Sequence, residues 1–164
     1  MKNWTGIEIE HSRQELEQAS AIVLGRMLFE FSRLDVALGL FLVWSDGGSQ
    51  VEKLTTELQE KTFHKKLEFL QELVNAKHKE NKEIFLEYSQ WLEDAHATRL
   101  LRNDLVHGRW GIDAVNERVI NVIGLPTSPN QREFRYTIPE LKRALEQMEQ
   151  LQIRLQKFRE RHTV

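Results

Sequence analysis

The 164-residue sequence contains no cysteine, which excludes disulfides, thiol nucleophiles, thiolate zinc sites and iron–sulfur clusters. It has no hydrophobic run of membrane length either. The longest apolar and glycine stretch, Val36 to Trp44, falls well short of the roughly 20 residues that cross a bilayer, and the segment before it carries Arg26, Glu30, Arg33 and Asp35. Met1 to His11 includes acidic residues and lacks the basic, apolar and small-residue order of a secretion signal, so a cytoplasmic location without membrane contact is expected. His11, His64, His78, His96, His107 and His162 show no two-histidine helical spacing, and no metal or other cofactor is expected. Gly47-Gly48 lacks the lysine and hydroxyl residue of a phosphate loop, there is no serine elbow, and no repeat or low-complexity tract occurs. Lysine and arginine total 23 against 25 acidic residues, a net charge of −2, which excludes coating nucleic acid by bulk charge. Any RNA contact has to be local.

What is present is helical periodicity. Ser12-Arg13-Gln14-Glu15 has capping-box spacing and predicts the start of a long helix, with Leu24, Leu28, Phe31, Leu38 and Leu42 on one stripe and Arg26, Glu30 and Arg33 opposite. Asp35 falls within the apolar stripe. Asp46 to Ser49 predicts a turn, because paired glycines disfavour helix and supply left-handed backbone. A second helical segment begins near Gln50 and breaks at Lys61-Thr62, where Thr62 caps a turn leading into Phe63, Leu67, Leu70 and Leu73. The polar run Asn75 to Lys82 reads as a loop. Lys82 to His107 is helical again, with Ile84, Tyr88, Trp91, Ala95 and Thr98 on one face and Gly108 as the C-terminal cap.

Short β-rich runs follow at Trp110 to Asp113, Arg118 to Ile123 and Glu133 to Thr137, predicting a hairpin or three-stranded flap. Thr137-Ile138-Pro139-Glu140 is a further capping box, and Leu141, Leu145, Met148, Leu151, Leu155 and Phe158 mark a last long helix. Gln147, Gln150, Gln152 and Gln156 read as a solvated face of it. The expectation is one mainly α domain over residues 1–164, a helical bundle with a small β insertion before its last helix.

The chemistry concentrates in Arg102-Asn103-Asp104-Leu105-Val106-His107-Gly108. Asn103 and His107 are four residues apart and share a helix face, with Arg102 beside them and Arg99 one turn earlier. A guanidinium suits phosphate, and an imidazole is the side chain that ordinarily titrates near neutral pH. The negative end of a helix dipole favours an imidazolium, the form a general acid needs, although the same field explains a histidine that merely caps the helix. Arg102 lies five turns after Ile84, in line with the apolar stripe. It and Asp35 are thus both placed among apolar residues and are expected to pair, either as a structural salt bridge or as part of a site.

Arg102-Asn103 with His107 five residues after the arginine resembles the signature of the HEPN superfamily (higher eukaryotes and prokaryotes nucleotide-binding): arginine, four to six residues, histidine, commonly with a polar residue after the arginine. The resemblance implies a compact HEPN-like helical bundle with the motif near the end of a late helix. It also implies an acidic residue on an early helix, here Asp35, as part of the polar site. In function it implies a metal-independent endoribonuclease, often a toxin or defence component, acting on RNA and not DNA as a homodimer, with an antitoxin or regulatory protein as partner. Arg102, Asn103 and His107 would then be catalytic, and Asp35, Arg99 and Asp104 supporting. Some toxins of the superfamily carry a modified tyrosine two residues beyond the histidine; that position is Arg109 here, a departure from the pattern. The alternatives are a noncatalytic homodimeric interaction or immunity module, in which His107 only caps a helix, and a nucleotide-binding sensor.

Overall fold

A computed structural model describes residues 4–164. The chain is mainly helical, with five helices among the described residues and a small sheet before the last: α1 (Gly6–Val43), α2 (Val51–Leu58), α3 (Phe63–His78), α4 (Lys82–His107), β1 (Arg109–Asp113), β2 (Arg118–Ile123), β3 (Arg132–Tyr136) and α5 (Ile138–Arg161). No helix among these residues is long and apolar enough to cross a membrane. The described residues divide into two compact units, one of residues 4–29 and 101–147, the other of residues 30–100 and 148–164, so α1, α4 and α5 each contribute to both.

Local chemistry explains most helix ends. α1 begins six residues earlier than Ser12 because Thr5 and Glu8 form the working capping box: Thr5 N and Oγ1 donate to Glu8 Oε2 at 2.8 Å, and Glu8 N donates to Thr5 Oγ1 at 3.3 Å. Ser12 is then an interior helical residue, its hydroxyl 3.5 Å from the Ala114 carbonyl oxygen. After α1, Gly47 and Gly48 take φ of 71° and 86°, and Asp46 Oδ1 accepts from the amides of Gly48 and Ser49. Thr62 caps α3 by accepting from Lys65 N. α3 continues through Asn75 to His78, where a loop was expected, because Val74 is buried and Lys77 and His78 suit the negative helix end. The turn shrinks to residues 79–81.

In the second unit the core is formed by Phe31, Leu34, Leu38 and Leu42 of α1, Leu67 and Leu70 of α3, Tyr88, Trp91 and Ala95 of α4, and Leu151, Leu155 and Phe158 of α5. The α1 stripe differs from expectation: Leu34 is fully buried and Leu28 is half-exposed. Buried polar tips find carbonyls, as burial requires. Trp91 Nε1 donates to the Leu151 oxygen at 2.9 Å, and the Tyr88 hydroxyl donates to the His162 oxygen. Gln152 is no solvated residue, since its amide donates to Glu30 Oε2 at 2.7 Å and to the Glu30 carbonyl oxygen at 3.2 Å.

In the first unit the strands form an antiparallel sheet in the order β1-β2-β3. Trp110 lies opposite Asn121 and Asn121 opposite Phe134, while Ile112, Val119 and Tyr136 form the next row. These residues share one sheet face, on which Val119 and Asn121 are buried. The expected capping box starts α5, with Thr137 N donating to Glu140 Oε2 at 2.7 Å and Glu140 N donating to Thr137 Oγ1 at 3.2 Å.

Candidate active site

The last turn of α4 is held from two directions. Asp104 O accepts from Gly108 N at 2.9 Å, and Leu105 O accepts from the Trp110 indole at 3.0 Å, so two of the carbonyls that a helix end leaves without helical partners are satisfied. Gly108 keeps a negative φ and is therefore not a left-handed cap. Its lack of a side chain has a different cause. A Cβ there would overlap the Asn121 carboxamide, which is 0% exposed and packs against it from β2. Neither Asn121 Oδ1 nor Nδ2 has a hydrogen-bond partner among the described residues.

On this turn Arg102 is partly buried and its Nη1 donates to Asn103 Oδ1 at 3.3 Å. His107 is exposed and forms no hydrogen bond or ion pair among the described residues. Asp104 faces β3 instead, where its Oδ1 lies 3.3 Å from Arg132 Nη2. Burial, with the Asp104 and Glu140 carboxylates, raises the Tyr136 hydroxyl above its ordinary pKa. Arg102, Asn103, Asp104 and His107 thus belong to one unit with the sheet.

Asp35 and Arg99 belong to the other. The expected partner of Asp35 was Arg102; the partner found is Lys66, with Nζ 2.7 Å from Asp35 Oδ1. The reason lies in burial: the Asp35 side chain is 36% exposed, whereas that of Lys66 is 9% exposed on the apolar face of α3, so the lysine is the charge in need of a counter-ion. Gly39 adjoins it, and a Cβ there would meet Lys66 Nζ at 3.7 Å, an ordinary contact. Lys66 stands between Phe63, Leu67 and Leu70, a signal in the sequence that went unused. Removing the carboxylate strands a buried ammonium, so Asp35→Ala should cost about 1–3 kcal/mol, while Lys66→Met leaves a carboxylate that water can reach and should cost less than about 1 kcal/mol. Urea midpoints measure both, and equal losses would contradict the asymmetry.

Arg99 acts on a histidine other than His107. His64 and His96 meet edge to face at 5.5 Å, and His64 Nε2 lies 3.3 Å from Glu68 Oε1. Burial, then Arg99 and His64, hold the His96 imidazole below its ordinary value of 6.5, against a smaller opposing pull from Glu68. The folded protein resists protonating His96 and the unfolded chain does not, so its contribution to stability is full above pH 6.5 and is lost as pH falls through the lowered folded value. His96→Gln should flatten the fall of the urea midpoint just below pH 6.5. Unchanged slopes would assign that fall to other groups.

Among the described residues no group of three or more histidine, aspartate or glutamate side chains is placed to share a metal ion. No family model, curated protein or solved structure matches the chain.

Proposed function

We propose that the protein is a metal-independent endoribonuclease of HEPN-like type acting through the last turn of α4. The observation that carries the reading is the grouping near the end of α4: an arginine joined to its neighbouring carboxamide at 3.3 Å, and five residues after the arginine an exposed histidine with no protein partner among the described residues. A structural histidine at a helix end would ordinarily be engaged with the carbonyls it caps. Here Gly108 N and the Trp110 indole already serve two of them.

The chemistry follows from the groups. The substrate's 2′-oxygen forms a bond to the adjacent phosphorus as the bond from phosphorus to the 5′-oxygen breaks, leaving a 2′,3′-cyclic phosphate and a 5′-hydroxyl. His107 takes the proton from the 2′-hydroxyl or gives one to the departing 5′-oxygen, the second role falling to the histidine of another copy or to water. Arg102 neutralises charge developing on the nonbridging oxygens, and Asn103 orients the guanidinium through their shared hydrogen bond. Incubation with single-stranded RNA in excess chelator tests this. Cleavage of RNA with the matching DNA left intact is expected, and cleavage of both or of neither contradicts it.

A further inference from the structure

The β3 strand carries a set of side chains that proton transfer does not use. Arg132, Phe134 and Tyr136 alternate along it and so project from the sheet face that also carries the buried Asn121 and Val119. Arg132 reaches α4 itself through Asp104, which is one helical turn before His107. β3 is an edge strand; the Arg132 side chain is 60% exposed and Phe134 is partly buried beside it.

The Arg132 guanidinium stands over the Phe134 ring, with Cζ 5.6 Å from its centroid. Phe134 is stacked toward Tyr136 at 6.5 Å and 22°, and Tyr136 lies 6.4 Å from Trp110. A planar cation over an aromatic face is a pair that unpaired nucleobases also form with each partner. The ion pair from Arg132 to Asp104 is long and solvated, hence weak, and yields to a ligand at small cost.

We propose that Arg132 and Phe134 form a base-stacking subsite that holds an unpaired nucleotide of single-stranded RNA next to the last turn of α4. The subsite rests on the ribonuclease reading for its substrate class. The base lies on the Phe134 face, and Arg132 moves from its own stack on that ring to cover the base or meet the adjoining phosphate. A paired base inside a duplex cannot present its face in this way, so the preference is for single strands.

The test is binding rather than turnover. Dye-labelled single-stranded RNA is titrated into His107→Ala protein in chelator, read by anisotropy, with Phe134→Leu, Phe134→Tyr and Arg132→Ala placed in the same background. Phe134→Leu should weaken binding about tenfold, as loss of one stacked base does. Phe134→Tyr keeps the ring and should restore affinity, and Arg132→Ala should weaken it. A duplex of the same sequence should bind alike to the parent and both Phe134 variants. Equal single-strand affinity for Phe134→Leu and its parent overturns the subsite, as does the absence of single-strand binding by the parent. Because cleavage is not read, a protein that binds through Phe134 but cuts no RNA leaves the subsite standing and removes the nuclease reading. Cleavage with unchanged KM in Phe134→Leu does the opposite.

Discussion

His107→Ala should abolish RNA cleavage, with a fall of about 10²–10⁴ in rate that reaches background, while the unfolding midpoint stays within a few tenths of a kcal/mol of wild type. The two halves of that expectation come from one fact, the exposure of His107 without a partner among the described residues. An exposed imidazole at a helix end contributes at most the modest charge–dipole energy of its position, so the fold barely notices its removal. A general acid or base is missed in the transition state alone. Kinetics and urea melts on the same preparations check both halves. Equal RNA degradation by wild type and His107→Ala would assign the cleavage to a contaminant and turn His107 into a cap. Arg102→Ala reads less cleanly, because its guanidinium is partly buried and its loss disturbs packing as well as charge.

Gly108→Ala should be the most damaging of the single-methyl changes near the site. The added Cβ meets the Asn121 carboxamide, and that residue is fully buried in the middle strand. Overpacking of this kind costs about 1–3 kcal/mol. Because Gly108 N also holds the Asp104 carbonyl, the displaced backbone carries His107 with it and cleavage should fall along with stability. Asn121→Ala removes the obstruction together with two buried polar atoms that have no partner among the described residues, so the Gly108→Ala, Asn121→Ala double variant should regain much of what the glycine change alone lost. A cycle of the four proteins measured by denaturant midpoints should show a coupling of about 1–3 kcal/mol. Strict additivity would mean that the two residues do not share the space the geometry gives them.

The parts of the fold that could be read from sequence are those set by neighbours in the chain. The α5 face from Leu141 to Phe158 is buried as its spacing predicts, Thr62 starts α3, and three alternating runs after Gly108 became three strands. α1 shows the limit of the same reasoning. Thr5 to Glu8 and Ser12 to Glu15 both have capping-box spacing, and the local rule does not choose between them; Ile7 and Ile9 extend the helix although Ile7 is exposed. Arg102, Asn103 and His107 fall near the end of one helix, as their spacing predicts, and of the three Arg102 and Asn103 are hydrogen-bonded to each other. Pairings between distant segments were not. Asp35 meets Lys66 across 31 residues and Asp104 meets Arg132 across 28, separations that periodicity does not encode. Two clues existed nonetheless: a lysine on the apolar face of α3, and an asparagine sharing the inward face of β2 with Val119.

In the proposed reaction the attacking group is the 2′-hydroxyl of the substrate, with His107 moving its proton. Mass analysis of a defined single-stranded RNA after incubation with the protein in chelator reads this in one measurement. The account predicts fragments ending in 2′,3′-cyclic phosphate paired with fragments beginning in 5′-hydroxyl, and no fragments from His107→Ala protein. Fragments bearing 5′-phosphate and 3′-hydroxyl ends, the products of attack by water, would contradict it.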